Sequence, residues 1–490
     1  MLFNSFNFLV FFILVTSLFY VLPHKFRWLL LLIASCFFYM AFVPIYILIL
    51  ILTIIIDYFA GIYIEKYEGL KRKLYLVISI CANVGILAVF KYYNFFIINV
   101  NNLLDHLNVT QSHFSLLKFI LPIGLSFHTF QAMSYTIEVF RGNQKAERHF
   151  GVYALYVMFY PQLVAGPIER PQNIIHQLHE VKKFDYDNLF SGLKRILWGI
   201  FKKVVIADRL AIMVDYTYKK PYELHGFVLV ITIILFGIQI YCDFSGYSDI
   251  AVGTAKVLGY NLMENFRFPF RSKNITEFWR RWHISLSSWF NDYLFSPIVI
   301  DRRNWGKLGV VFALFITFSL SGLWHGAGWT FIIFGVLHGV AVIFEFLTKK
   351  QRKKVSKSLP ASVYNTASLI LTFIYACITW IFFRATSLHQ AIYVLKNLFI
   401  IDEYGRYFAI AKGNLHGLPG TFLGLPLWQF IISILLIPFL FFCEWLIEHN
   451  NVKRFTILPT YIKWSAYYIL ILSILIFGVF DTKQFIYFQF

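Results

Sequence analysis

Residues 308–347 read LGVVFALFITFSLSGLWHGAGWTFIIFGVLHGVAVIFEFL, two apolar runs separated by a short glycine-rich string. The runs cover 308–323 and 329–347, and a helix of about 20 apolar residues can cross a hydrocarbon core. The string between them places His325 beside Trp324. An ionisable group at membrane depth is costly and marks a candidate functional site. The stretch therefore predicts a helical hairpin in a membrane, with a histidine at its break.

Similar apolar runs recur along the whole chain. The 490 residues are 59% hydrophobic and only 14% charged, whereas soluble domains carry about 25% charged residues. With shorter, polar-interrupted candidates included, we predict an all-α, polytopic membrane protein with roughly 11 to 13 membrane helices. We expect residues 1–490 to form a single membrane-embedded domain. The clearest runs lie at 3–22, 45–64, 74–96, 226–242, 308–323, 329–347, 364–383, 426–446 and 464–480.

The charge pattern predicts the orientation in the membrane. The net charge is +19, and the basic residues cluster in short segments between apolar runs, which the positive-inside rule places in the cytoplasm. The Asn-rich loop 97–113 and the polar loop 385–424 should then lie outside. Contact with anionic membrane lipids is expected. A nucleic-acid partner is not indicated, because the basic residues flank membrane helices instead of forming one face. The basic clusters are 25–27, 66–73, 141–148, 301–307 and 349–357.

A second histidine lies in the string FWRRWHISLSSWF, residues 278–290. Between His283 and His325 there is room for one short helix, a basic turn and one spanning helix, which would bring the chain back to His325. Neutral imidazole can take and return a proton near pH 7. We therefore predict that this pair forms the catalytic site. No GxSxG elbow indicates a serine hydrolase, and no ligand spacing indicates a metal site.

The middle third of the chain differs from the two ends. Glycine and proline interrupt the apolar segments between 160 and 310, and non-helical backbone at membrane depth is tolerated where it lines a cavity. We expect this region to line the cavity, with Asp243, Asp249 and Glu264 in a polar network. Their expected partners are Arg267, Arg271, Arg280 or Arg281.

The segment 192–210, GLKRILWGIFKKVVIADRL, is basic and amphipathic. Such a pattern predicts a helix that lies along the cytoplasmic interface. Its Lys202–Lys203 pair is then either a solvated face or an attraction for a phosphate-bearing donor.

An ordered set of motifs resembles the membrane-bound O-acyltransferase (MBOAT) family, and within it the bacterial alginate and peptidoglycan O-acetyltransferase branch. The motif-bearing part covers about 115–345, and 358–490 carries no recognisable motif. The resemblance implies a ring of helices around a central tunnel or funnel, which an acyl thioester enters from the cytoplasm. The motifs are LPIGLSFHTFQAMSY, YPQLVAGPIERP, DFSGYSDIAVG, ENFRFPF, FWRRWHISLS and SGLWHGAGWTFIIFGVLHG.

The resemblance also implies roles for individual residues. His325 would take the proton of an acceptor hydroxyl as it attacks the thioester. His283 would orient the acyl group or stabilise the oxyanion. Basic side chains would hold the phosphates of coenzyme A. The expected donor-binding residues are Arg280, Arg281, Lys202, Lys203 and Trp324.

The activity implied is transfer of an acetyl group from acetyl-CoA, or another acyl thioester, to a cell-envelope polysaccharide at the bacterial inner membrane. A periplasmic acetyltransferase or relay protein is the expected partner, docking near 97–113 or 385–424. One departure leaves the acceptor open: Asn291 precedes Asp292 and Tyr293, where many polysaccharide-acetylating members have arginine. The main alternative is a multi-helix transporter or flippase without covalent chemistry, and a passive scaffold is a third.

Overall fold

The computed structural model confirms the all-α, polytopic architecture. Eight helices in the described part of the chain are long and apolar enough to cross a membrane, and the shorter apolar helix Phe6–Val21 comes in addition. Within the same part, β-structure is limited to the two-residue strands Thr421–Phe422 and Leu425–Pro426. The structure describes residues 1–108, 113–118, 121–164, 166–220, 222–400, 421–448, 459–480 and 485–486.

The first part of the chain forms helical hairpins. The helices His24–Met40 and Ile47–Lys66 form one such hairpin, which turns at Pro44–Tyr46. The segment 97–113 is not a loop throughout, because the helix continues to His106; residues 109–112 lie outside the described part. A π-helical turn, Ala88–Tyr92, joins the fourth and fifth helices. The helices are α1 (Phe6–Val21), α2 (His24–Met40), α3 (Ile47–Lys66), α4 (Gly69–Leu87), α5 (Tyr93–His106) and α6 (Leu125–Arg141).

The middle part contains short helices around one long one. Its longest helix, Phe227–Val257, is largely buried inside the protein. Two further π-helical turns, Phe201–Ala207 and Asn291–Phe295, interrupt its neighbours. The helices are α7 (Phe150–Met158), α8 (Pro171–His179), α9 (Tyr186–Ile200), α10 (Asp208–Lys219), α11 (Phe227–Val257), α12 (Ile275–Arg281), α13 (Ile284–Phe290) and α14 (Ser296–Asp301).

Helices α9 and α11 pack with their backbones in direct contact. A Cβ atom added to Gly199 would lie 2.6 Å from the backbone oxygen of Gly246, and one added to Gly246 would lie 2.8 Å from that of Gly199. Small residues let membrane helices approach this closely. The residues from Phe201 to Ala207 are consequently buried. The expectation that 192–210 lies along the membrane surface is therefore wrong for this turn.

Ion pairs cross the same interface. Lys203 lies 2.9 Å from Asp208 and 2.5 Å from Asp243, and Lys202 lies 2.6 Å from Asp249. The polar network around the acids is therefore present, but its cations come from the neighbouring α9 segment. The predicted pairing of these acids with arginines at 267–281 is wrong. Burial of both charges favours such pairing, because an isolated charge in the interior is costly.

The last part returns to plain spanning helices. The polar loop expected at 385–424 contains a helix, and residues 401–420 lie outside the described part. The glycine-rich break separates α15 from α16, which pack closely at Gly322 and Gly335. The helices are α15 (Lys307–His325), α16 (Trp329–Leu347), α17 (Lys349–Ser358), α18 (Ala361–Arg384), α19 (Leu388–Asn397), α20 (Leu427–Glu448) and α21 (Thr460–Phe477).

Candidate active site

The structure brings the two predicted histidines together. His325 is the last residue of α15, directly before the break at Gly326. His283 lies between the short helices α12 and α13. Both side chains are buried, and their ring centroids are 6.5 Å apart. This separation is too long for a direct hydrogen bond between the rings.

The backbone at His283 is strained. Its φ and ψ angles are 45° and 55°, the left-handed region that a non-glycine residue rarely adopts. This conformation costs about 1–2 kcal/mol, and such strain often occurs at functional sites. Two backbone hydrogen bonds hold the turn against the ENFRF motif: Ile284 N–H donates to Asn265 O at 2.9 Å, and Arg267 N–H donates to Arg281 O at 2.9 Å.

The side chain of Asn265 reaches the same turn. Its Oδ1 lies 3.1 Å from His283 Nδ1 and accepts hydrogen bonds from the backbone N–H and hydroxyl of Ser285. Its Nδ2 donates to the hydroxyl of Ser248 at 3.2 Å. Asn265 therefore ties α11 to His283 and to the backbone that directly follows it.

A lysine and a tyrosine close the end of the helix that carries His325. The Lys91 ammonium donates to the backbone oxygens of Trp324 at 2.6 Å and His325 at 3.2 Å. The Tyr92 hydroxyl donates to the backbone oxygen of Leu323 at 3.0 Å. The last carbonyls of a helix lack partners within it, so these donors stabilise the helix end. Both come from the π-helical turn, a feature found frequently at functional sites.

Aromatic rings surround the histidine pair. Phe244 contacts His283 edge-on at 4.6 Å between centroids, and Phe485 packs on Phe244 at 5.4 Å. The Trp324 ring lies 5.1 Å from His325 and 5.9 Å from His283. Its buried indole N–H has no hydrogen-bond acceptor among the described residues. An indole N–H is a donor only, so this group is available to a bound carbonyl.

A deep cavity of about 1120 Å³ approaches the pair from the predicted cytoplasmic side. It follows α15 from Val310 to Ser321, about 16 Å of helix at 1.5 Å per residue. Ser321 lies one helical turn before His325, and the lining residue Ile284 directly follows His283. The cavity therefore extends from residues of α17 to within one helical turn of His325, while neither histidine ring is among its lining residues.

The mouth of this cavity is basic. Arg280 and three residues of α17, Lys349, Arg352 and Lys353, line it. The acidic lining residue Glu345 is already engaged, because it accepts hydrogen bonds from the backbone N–H groups of Ile275 at 2.6 Å and Thr276 at 3.0 Å. Glu345 also lies 3.9 Å from Arg352. The lining cations that do not pair with it, Arg280, Lys349 and Lys353, can contact an anionic ligand that enters here.

The expected donor-binding residues divide into two groups. Arg280 lines the cavity, and Trp324 lies beside the histidines. Arg281 instead pairs with Glu277 and Glu448. Lys202 and Lys203 are buried in the ion pairs of the α9–α11 interface, and the cavity lining does not include them. We leave these three residues out of the donor site.

A second, smaller pocket of about 40 Å³ has His325 in its lining. Lys91, Gly124, Ser126 and Phe127 line it together with His325. The predicted orientation places this pocket toward the outer face. His325 therefore lines the small pocket directly, and the long cavity ends one helical turn away from it, at Ser321.

Sequence reasoning missed Lys91, Tyr92 and Asn265. A signal existed for Lys91, a single cation inside the apolar run 74–96, because charges at membrane depth usually have a function. No pattern in the sequence indicates that Asn265 would meet His283. Within the described part of the chain, no three His, Cys, Asp or Glu side chains come together to hold a metal ion.

Comparison with known proteins identifies the family. The sequence profile of the membrane-bound O-acyltransferase family, MBOAT, matches residues 74–388. The chain belongs to the MBOAT family. It is an O-acyltransferase of the membrane, and the fold and enzyme class predicted from the motifs are confirmed.

Curated MBOAT relatives extend over most of the chain. The peptidoglycan O-acetyltransferase of Helicobacter pylori is 35% identical over 395 residues, covering 75% of this chain and 73% of the relative. The probable alginate O-acetylase AlgI of Pseudomonas aeruginosa is 34% identical over 426 residues, covering 85% and 78%. The teichoic acid D-alanyltransferase of Bacillus subtilis is 31% identical over 278 residues, covering 55% and 70%.

Proposed function

We propose that this MBOAT enzyme transfers an acetyl group from acetyl-CoA to hydroxyls of a cell-envelope polysaccharide. The observation that carries the proposal is the placement of His325 in the lining of a small pocket and one helical turn from Ser321, which lines a long cavity with basic residues. A donor and an acceptor can then reach one imidazole from opposite faces of a membrane. The names of the peptidoglycan and alginate relatives support an acetyl group and a polysaccharide acceptor.

The cavity supports coenzyme A as the donor. Ligand pockets typically have volumes of about 300–1,000 Å³, and this cavity, at about 1120 Å³, has room for a long donor. Its mouth offers Arg280 and the basic residues of α17 to phosphate groups. The thioester end would then lie near Ser321 and Ile284, next to the two histidines.

In the proposed reaction, His325 carries one proton from the acceptor hydroxyl to the leaving thiolate. The acceptor oxygen attacks the thioester carbonyl carbon while the ring of His325 takes the hydroxyl proton. The indole N–H of Trp324 donates a hydrogen bond to the carbonyl oxygen, where negative charge develops. The carbon–sulfur bond then breaks, and the imidazolium returns the proton to the leaving thiolate. The products are the acetyl ester and the free thiol.

We place the enzyme in the bacterial inner membrane, with a periplasmic acetyltransferase or relay protein receiving the acetyl group or presenting the acceptor. The predicted docking regions are the outer ends of 97–113 and 385–424, although 109–112 and 401–420 lie outside the described residues. Direct transfer to the polysaccharide uses the same histidine chemistry.

The test follows the acetyl group across the membrane. Inside-out membrane vesicles containing the native protein would receive acetyl-CoA labelled in the acetyl carbon. We expect label in the lumenal polysaccharide fraction and none in vesicles containing His325→Ala at equal protein level. Equal labelling with both proteins would refute the proposal.

A further inference from the structure

A row of polar side chains on α15 ends at His325. Thr317, Ser321 and His325 follow one another at intervals of four residues, and residues four apart lie on the same face of a helix. At a rise of about 1.5 Å per residue, these positions are about 6 Å apart along the helix axis. Thr317 and Ser321 both line the long cavity. Two hydroxyl-bearing residues therefore lie in the cavity wall in the turns directly before His325.

The hydroxyl of Thr317 is a buried polar group that lacks a protein partner. The residue is 7% exposed, and its Oγ1 has no hydrogen-bond partner among the described residues. The same is true of the indole N–H of Trp279, a second lining residue, which is also 7% exposed. The Trp279 ring packs on Phe318, with 5.7 Å between centroids. Buried polar groups are nearly always hydrogen-bonded, so a ligand that fills the cavity has to supply the missing partners.

The spacing of the two hydroxyls matches the pantetheine arm of coenzyme A. This arm carries one amide two carbons from the sulfur and a second amide two carbons further along. Four bonds separate the two amide nitrogens, which is about 5 Å in an extended chain. A thioester held at His325 would place the first amide near Ser321 and the second near Thr317. A hydrocarbon chain in the same cavity would leave the Thr317 hydroxyl and the Trp279 N–H unpaired.

We propose that Ser321 and Thr317 hold the two amide groups of the pantetheine arm by hydrogen bonds. Ser321 contacts the inner amide, next to the sulfur, and Thr317 contacts the outer one. A hydroxyl can donate to an amide oxygen or accept from an amide N–H, so both contacts are chemically complete. The inference rests on the proposed transfer from acetyl-CoA. It specifies which side chains set the depth of the donor, and therefore the position of its thioester relative to His325.

The first experiment compares two acetyl thioesters that differ in the outer amide. S-acetylpantetheine carries both amides, and S-acetyl-N-acetylcysteamine carries only the inner one. Neither has a phosphate, so the basic residues at the cavity mouth do not affect the comparison. We expect Thr317→Val to lower kcat/KM for S-acetylpantetheine about 3- to 10-fold and to leave the value for the shorter donor within about twofold of native. Equal losses with both donors, or native values with both, would overturn the assignment of Thr317.

Ser321→Ala tests the inner amide. Both donors carry this group, so kcat/KM should fall by a similar factor for the two. Ser319→Ala is the matched control, because Ser319 is a further α15 residue whose hydroxyl has no partner among the described residues, and the described cavity lining does not include it. We expect native values for this variant with both donors. A loss in Ser319→Ala equal to that in Thr317→Val would contradict a contact made inside the cavity.

The stability of Thr317→Val separates a lost ligand contact from a damaged fold. The substitution keeps the shape of the side chain and removes a hydroxyl that bonds to no described residue. Unfolding in detergent should therefore occur at the native midpoint or above it, since no protein hydrogen bond is lost. A lower midpoint would show that the hydroxyl serves the fold, against the proposal.

A binding measurement decides the proposal without turnover. S-acetonylpantetheine has a methylene group between the sulfur and the carbonyl carbon, so it keeps both amides and cannot be cleaved as a thioester. In equilibrium dialysis with protein in nanodiscs, Kd should be about 3- to 10-fold higher for Thr317→Val and Ser321→Ala than for the native protein and Ser319→Ala. Equal Kd values, or no binding to the native protein, would overturn the proposal. Failure of the native protein to cleave any thioester would instead reject the proposed function, and the binding comparison would still decide the two contacts.

Discussion

The ammonium of Lys91 donates a hydrogen bond to the backbone oxygen of Trp324 at 2.6 Å, at the end of the helix that carries His325. The two residues are far apart in the sequence, and the contact joins α15 to the π-helical turn at Ala88–Tyr92. An intramembrane lysine is costly unless it is paired or satisfied. Its placement therefore links the position of His325 to the fourth and fifth helices.

Replacing Lys91 should disturb this helix end. In Lys91→Met the new side chain has a similar length but no hydrogen-bond donor. The backbone oxygens of Trp324 and His325 therefore lose the hydrogen bonds from Lys91. We expect kcat to fall at least about 10-fold, because a misplacement of about 1 Å near the reacting atoms is sufficient for a large loss. Tyr92→Phe removes only the contact to Leu323 and should have a smaller effect. Steady-state thioester turnover measures both; native kcat in folded Lys91→Met would exclude this role.

The indole N–H of Trp324 should contribute to catalysis by donating a hydrogen bond to the thioester carbonyl oxygen. Trp324→Phe retains an aromatic ring beside both histidines and removes the donor. Loss of one oxyanion donor typically lowers kcat about 100- to 1,000-fold, and we expect a fall in this range with the donor KM little changed. Single-turnover kinetics separates the chemical step from donor binding. If Trp324→Phe raises KM and leaves kcat intact, the side chain acts in donor binding alone.

The lysines of the α9–α11 interface should affect stability and leave donor binding unchanged. Lys203→Met leaves Asp208 and Asp243 without this cation, and breaking a buried pair costs about 3–5 kcal/mol. Lys202→Met should lower stability less, because Asp249 still pairs with Arg195 at 3.0 Å. Unfolding monitored by tryptophan fluorescence in detergent should rank native above Lys202→Met above Lys203→Met. A raised donor KM in a stable Lys202→Met protein would restore the lysine to the donor site.

Substitution of the neighbouring residues Arg280 and Arg281 should affect different properties, because only Arg280 lines the cavity. Arg280→Glu reverses a charge at the mouth, and we expect the KM for acetyl-CoA to rise about 10-fold, since a charge-assisted hydrogen bond is worth about 1.5–3 kcal/mol. Arg281→Met removes the contacts to Glu277 and Glu448 and should lower stability with an unchanged KM. KM measured at low and high salt checks the pair. Equal effects of the two substitutions on KM would show that the mouth does not select the phosphates.

Local sequence patterns were sufficient to predict the helical membrane fold and the meeting of His283 and His325. Apolar runs of spanning length predict the helices, and the glycine-rich string predicts the break after His325, which the structure confirms. The meeting of His283 and His325 could also be predicted, because the intervening segment consists of one short helical stretch, a basic turn and α15.

Side-chain contacts between distant parts of the chain could not be predicted. The basic pattern around Lys202 and Lys203 is typical of a membrane surface, but the close approach of Gly199 and Gly246 places this segment against α11, where it is buried. Asn265 meets His283 through backbone pairing of two irregular segments. Such contacts depend on tertiary packing, which periodicity along the chain does not encode.

The most direct test of the account measures free-thiol release from acetyl-CoA by purified protein in nanodiscs, for the native chain and for His325→Ala. We expect release by the native protein and loss of release in His325→Ala, with acetyl-CoA binding and the elution profile of the folded protein retained. The binding control separates a lost chemical step from a lost donor site. Undiminished release by folded His325→Ala would contradict the central claim that this imidazole carries the acyl transfer.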